Sequence, residues 1–154
     1  MLRKSRLFSR TRLIKLMSDI LSLDVGAKRI GVARASTVAR IAEPLMTIDA
    51  EADPIAAIVK LIAEHDAQNV VVGLPRNMSG QETAQSNSIR AFAKQLSEAT
   101  SVQLHFQDES LTSVKAEESL SSAKKGYNTP TVDELAAVYI LEDFLSEHTE
   151  IGKE

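Results

Sequence analysis

Residues 20–35, Ile-Leu-Ser-Leu-Asp-Val-Gly-Ala-Lys-Arg-Ile-Gly-Val-Ala-Arg-Ala, constrain this chain more than any other stretch. An apolar run ends on Asp24, a tight turn follows at Gly26, and a second apolar run begins at Ile30. Two such runs joined by a glycine turn predict a β-hairpin. The pairing places Asp24 where a core strand emerges to meet solvent, with Lys28 and Arg29 beside it on the turn. A carboxylate in that position, next to two cations and a side-chain-free glycine, suits a metal ion held close to a phosphate backbone. An Asp that only initiates the turn accounts for the position equally well.

The 154 residues are enough for one domain with its own core, and a chain 44% apolar and 25% charged is that of an ordinary globular protein. No run of eighteen apolar residues occurs, so no membrane span and no membrane partner is expected. Without cysteine there is no disulfide, thiolate zinc site or cysteine nucleophile, which fits a reducing, cytoplasmic setting. His65, His105 and His148 lack ligand spacing and read as solvated or packing residues. Any metal must then be held by oxygen, which points to Mg2+ or Mn2+.

The net charge of −3 conceals an asymmetry. Arg3, Lys4, Arg6, Arg10, Arg12 and Lys15 crowd residues 1–16 with no acid among them, and setting these six aside leaves 12 basic against 21 acidic residues, a net of −9. An acidic body leaves room only for a local basic patch toward nucleic acid. Residues 1–17 are expected to be a disordered basic extension or an artefact of start-site choice, since Met17-Ser18-Asp19 makes a natural beginning before the first strand. A nucleic-acid-binding arm or an organelle-targeting segment are the other readings. Residues 18–147 form the expected domain and 148–154 a polar tail.

Along the chain, Glu43-Pro44 interrupts and 45–48 offers a third extended piece, giving a three-stranded antiparallel meander. Asp53-Pro54 is a side-chain cap with proline at the first helical position. Ile55, Ile58, Val59 and Ile62 then make one apolar helix face ending near His65. Residues 69–75 form a continuously apolar strand, the pattern of a strand covered on both faces, so strand, helix and strand make a parallel crossover. A loop over 75–80 leads to a helix over 82–98, with Ile89, Phe92, Ala93 and Leu96 on one face. A strand over 102–107 closes on Asp108-Glu109. A short helix over 112–123 and a breaker loop over 124–130 follow. Thr131 and Glu134 form a capping box for a last helix so apolar from Leu135 to Leu141 that it should be buried on more than one side.

Asp24, the Asp108-Glu109 pair and Asp133 thus lie at strand ends or a helix start, which converge on one crevice in an open α/β sheet. Each also has an ordinary structural role, Asp108 and Glu109 in capping and Asp133 as a helix-dipole carboxylate. Together they would repel unless a cation or a proton relieved them, and two divalent ions about 4 Å apart would do so while activating water toward a phosphodiester. Strand alternation points Asp108 and Glu109 apart, so one of them joins Asp24. Glu109 is preferred for its longer arm, although alternation itself leaves the choice open. With two tyrosines and no tryptophan there is little material for stacking on single strands, which favours a structured substrate.

The runs at 24–33 (Asp-Val-Gly-Ala-Lys-Arg-Ile-Gly-Val-Ala), 71–80 (Val-Val-Gly-Leu-Pro-Arg-Asn-Met-Ser-Gly), 108–113 (Asp-Glu-Ser-Leu-Thr-Ser) and 132–137 (Val-Asp-Glu-Leu-Ala-Ala) resemble, in order, the motifs of the YqgF/RuvX family across residues 18–147. The resemblance implies an RNase H-like fold, a five-stranded mixed sheet of the antiparallel meander plus two parallel strands flanked by helices. It implies a nuclease that processes pre-16S ribosomal RNA, with resolution of Holliday junctions as the alternative, and Asp24, Glu109 and Asp133 as catalytic and metal-binding acids. Lys28, Arg29, Arg76, Asn77, Lys124 and Lys125 are the candidate phosphate contacts on pre-rRNA or branched DNA. The chain departs from the family pattern at Ser110, where an Arg is usual, at Thr131-Val132, where a Lys precedes the last Asp, and at Arg76, where an apolar residue is commoner. Arg76 is expected to compensate for Ser110. A nucleic-acid-binding module without catalysis is one rival. A nucleotide-handling domain is another, since the Asp-x-Gly hairpin also resembles the phosphate loop of sugar kinases and actin-like ATPases. The assembly is expected to be a monomer or homodimer.

Overall fold

The computed structural model describes residues 18–75, 83–109 and 130–151. The expected basic extension, Arg76, Asn77, Lys124, Lys125, Ser110 and the short helix over 112–123 lie outside them.

The hairpin forms as expected, from β1 (Asp19–Val25) and β2 (Arg29–Ser36), which pair antiparallel. The turn closes with the Gly26 N–H donating to the Arg29 carbonyl at 3.0 Å. A Cβ on Gly26 would sit 2.8 Å from that same oxygen, so the turn requires glycine. Strand β3 (Glu43–Asp49) adds antiparallel to β2. It begins earlier than expected, because Pro44 is part of the strand. β3 lies at the sheet edge and its register with β2 shifts between Val32 and Ala33, where Pro44 pairs, so the missing N–H costs no ladder bond there.

Helix α1 (Pro54–Glu64) starts as its sequence dictates, with the Asp53 carboxylate accepting from the Ala56 N–H at 3.3 Å and proline in the first turn. Strand β4 (Ala67–Pro75) returns parallel to β1, helix α2 (Ala84–Ala99) follows, and β5 (Gln103–Glu109) runs parallel to β4. Helix α3 (Val132–Glu147) completes the described chain. The sheet order β3-β2-β1-β4-β5 puts β1 at its centre. Among the described residues no helix is long and apolar enough to cross a membrane.

Alternation on β1 builds two cores. Leu21 and Leu23 join Val70, Val72 and Leu74 on the face covered by α1 and α2. Ile20 joins Ala33, Ala35 and Val71 on the face covered by α3, where Ile140, Leu141 and Phe144 are buried. Burial of each such side chain contributes about 1.5–3 kcal/mol. Ala136 and Val138 are buried too, so α3 is covered on more than one side. Ser22 fixes its position by donating to the Ala137 carbonyl at 2.6 Å. At its C-terminal end the Arg40 guanidinium donates to the carbonyls of Leu145, His148 and Ile151. Thr131 caps its start, accepting from the Glu134 N–H at 3.1 Å. The expected capping box is only half made, because the Glu134 carboxylate accepts instead from the hydroxyls of Thr131 and Thr47 and ties α3 to β3.

Candidate active site

Asp24 shares a face of β1 with Ile20 and Ser22, so its carboxylate points toward the N-terminal end of α3. Register places the strand-end acids of β5: Val71 pairs with His105, Gly73 with Gln107 and Pro75 with Glu109. Val71 belongs to the α3 face. Glu109 therefore faces α3, and Asp108, paired with Leu74, faces the other way. Glu109 and not Asp108 meets Asp24, and face, not arm length, decides it.

Two glycines make the meeting possible. Gly31 on β2 pairs directly with Asp24. A Cβ there would lie 1.9 Å from the Asp133 carbonyl, so only glycine lets the first turn of α3 come down beside Asp24. On the other side, Gly73 follows the Val72 that pairs with Leu23. A Cβ at Gly73 would lie 2.4 Å from Glu109 Oε2. The missing side chain is the space through which Glu109 crosses β4 to reach β1. These glycines were not singled out in the sequence as positioning residues, although a glycine interrupting an apolar strand signals a close approach.

Asp24 is driven from its ordinary 3.8 up to about 7. Burial is the largest cause, followed by the negative charge of Glu109, that of Asp133, and a hydrogen bond with the Glu109 carboxyl. Two carboxylates in contact cannot both ionise cheaply, so the pair holds a proton near neutrality. Asp133 also accepts from Arg29 Nε at 3.1 Å, an ion pair exposed on its arginine side. Lys28 is exposed on the turn, and its carbonyl accepts from the Ala50 N–H.

The donor chemistry suits a hard divalent cation. All three groups are carboxylates, and the charge that lifts Asp24 is what such a cation would neutralise. Their arrangement is a pair plus one: Asp24 and Glu109 touch, while Asp133 is turned to Arg29. Among the described residues no three His, Cys, Asp or Glu side chains gather closely enough for one metal ion. None of the histidines joins the acids. His65 meets Asp19 at 3.1 Å, and His105 and His148 pack on the Phe144 ring, with centroids at 4.9 and 4.1 Å.

Residues 18–147 match the family model RuvX, described as Holliday junction resolvase. Relatives described as candidate pre-16S rRNA nucleases include one from Chloroflexus aurantiacus, 45% identical over 82% of this chain and 85% of its own. Another, from Crocosphaera subtropica, is 42% identical over 82% of this chain and 92% of its own. Among solved structures, Thermus thermophilus RuvC superposes with a TM-score of 0.52 at 11% identity, covering 85% of this chain and 96% of its own. The fowlpox virus resolvase, solved with Holliday junction DNA, gives 0.54 at 14%, covering 86% and 99%. At those identities the likeness is one of fold, the RNase H-like fold.

Proposed function

The chain belongs to the RuvX family, and on that premise we propose that it is a divalent-metal-dependent endonuclease that hydrolyses phosphodiesters in structured nucleic acid, with precursor 16S ribosomal RNA as substrate. The observation that carries the reading is the convergence of Asp24, Glu109 and Asp133, with Asp24 lifted to about 7 by burial and by the other two acids. A site that only needed a turn-starting Asp would not bring a second carboxylate across a neighbouring strand to touch it. The substrate follows the description shared by the relatives from Chloroflexus and Crocosphaera, and a cysteine-free chain suits the reducing cytoplasm where ribosomal precursors are trimmed.

Asp24 and Glu109 would hold Mg2+ or Mn2+, with Asp133 joining once Arg29 turns to the substrate. A bound cation would supply Lewis acidity at the phosphorus and an acidified water. The protein's own part is to bring three acids together at one end of the sheet, with Arg29 on Asp133. Loss of the shared proton frees Asp24 for the cation. Arg29, released from Asp133, would contact the phosphate beside Lys28 on the hairpin turn. Arg76, Asn77, Lys124 and Lys125 would supply further contacts to the phosphate backbone, which position the substrate without reading bases.

A four-way DNA junction is the second substrate reading, favoured by the description of the matched family model. Labelled precursor rRNA and a four-way junction, incubated side by side with Mg2+, Mn2+ or chelator, separate the readings. Metal-dependent cleavage that Asp24→Asn abolishes is the expected result, and the preferred substrate chooses between RNA processing and junction resolution. Binding without cleavage of either, unchanged in Asp24→Asn, would make the protein a nucleic-acid-binding module.

A further inference from the structure

A cleft of about 420 Å³ opens on the face of the sheet opposite α3, against the same hairpin turn that follows Asp24. Val25, Gly26 and Ala27 form one wall. Gln85, Ser88 and Phe92 on successive turns of α2 form another. Its size falls within the range of small-ligand pockets. Among the described residues that line it none is charged; Lys28, next to Ala27, is exposed on the same turn, while Arg29 turns to Asp133 on the other face.

We propose that this cleft receives one unstacked nucleobase of the nucleic-acid strand whose phosphate lies at Asp24, a reading that rests on the nuclease function above. Placement is the first argument. Asp24 and Val25 are consecutive and point to opposite faces of β1, so the cleft and the carboxylates are two sides of one strand end. A strand passing over the turn presents phosphate to one side and base to the other. Charge is the second. The described lining is uncharged while Arg29 lies on the acid side of the turn, which suits the heterocyclic half of a nucleotide here and the anionic half there, whereas a phosphate site would carry its cations inside.

Shape and hydrogen bonding are the third argument. Gly26 and Ala27 leave a low wall for a planar ring, and the half-buried Phe92 offers an aromatic surface. The Gln85 amide has no hydrogen-bond partner among the described residues, and Ser88 holds only a 3.3 Å bond to the Ala84 carbonyl. An amide and a hydroxyl at the mouth of an apolar slot are what the edge of an extruded base needs. A single such slot is compatible with a chain poor in aromatic residues. It selects a bulge, a junction or a duplex flank with one base free, not a continuous single strand.

The test uses the full-length protein in chelator, so that it is independent of cleavage, with RNA hairpins carrying a single bulged 5-iodouridine walked through successive positions. At one position, irradiation is expected to crosslink the base to Phe92, mapped by mass spectrometry, with wild type and Asp24→Asn alike. Ser88→Leu, an exposed helical position, is expected to remove that crosslink and weaken binding of the same RNA about tenfold or more. With Mg2+ added, the phosphate cut by wild type should adjoin the crosslinking nucleotide. Bound RNA that crosslinks only elsewhere, or a Ser88→Leu protein indistinguishable from wild type, overturns the cleft while leaving the nuclease intact. A Phe92 crosslink with no cleavage in any metal keeps the cleft and removes the nuclease. Failure to bind any hairpin removes both.

Discussion

Strand β1 carries one aspartate as its first residue and another next to its last, about 17 Å apart along the strand, and their surroundings are opposite. Asp19 is buried and receives Arg34 through two hydrogen bonds, Nε to Oδ2 at 2.9 Å and Nη2 to Oδ1 at 3.0 Å. His65 also reaches it, and Arg34 extends the pairing to Glu43. Asp24 instead has Glu109 and Asp133 for neighbours and is driven up to about 7. One pole answers a buried carboxylate with a cation, and the other answers it with more carboxylate. Unrelieved charge of that kind opposes folding, and it is the charge that the cation of the proposed function would balance.

Asp24→Asn gives the sharpest break between the poles. Cleavage should fall by about 10³-fold or more, while the metal-free protein becomes more stable above neutrality. The folded pKa of about 7 lies above the ordinary 3.8. The folded state therefore binds the extra proton in between, and stability present below about pH 4 is lost as pH rises through 7. Asn does not titrate, so in urea with chelator at pH 8 the variant should gain on the order of 2–4 kcal/mol. Added Mg2+ should raise the wild-type melting temperature and leave the variant nearly unmoved. A variant no more stable than wild type would mean that some other group already relieves the charge.

At the opposite pole, Arg34→Ala leaves Asp19 buried beside His65 alone and should cost about 3 kcal/mol. Cleavage at a temperature where the variant stays folded should not change. A collapse in turnover there would show the poles to be coupled.

Gly73→Ala tests how the acid pole is assembled. Its Cβ meets Glu109 and Ile140, so overpacking should cost about 1–3 kcal/mol. Mn2+ affinity, measured by calorimetry, should fall with it as Glu109 is displaced. Wild-type affinity would show that Glu109 is not needed across β4.

The smallest effect is expected at His105, on the α3 face below the acids. Burial, and then the charge of His148, hold its pKa below the usual 6.5. Stability is therefore present above about 6.5 and lost as pH falls through the folded value, opposite in sign to Asp24. His105→Gln should flatten the acidic limb of a urea stability profile and leave the alkaline limb unchanged.

Much of this was legible in the sequence because it is local. The glycine turn between two apolar runs, the Asp53-Pro54 start of α1 and the Thr131 cap of α3 each depend on a few adjacent residues. The order of strand and helix patterns then fixes the meander and the parallel crossovers. The carboxylates could be assigned to strand ends for the same reason. Pro44 misled because a proline is excluded from a strand only where a ladder bond is required, and edge position is not a local property. Glu134 misled because its competing partner, Thr47, comes from another strand.

The sequence by itself determined which of the described segments become strands and helices, and that Asp24, Asp133 and one of Asp108 and Glu109 would reach one end of the sheet. Tertiary structure alone decided which acid of the pair meets Asp24, since alternation orders side chains within a strand while the register of β5 on β4 sets which face they share. It alone decided that Gly31 and Gly73 flank Asp24 on both sides, and that Asp133 is paired with Arg29. Those contacts join residues up to 104 positions apart, and no local pattern encodes a distance that only packing across three strands creates.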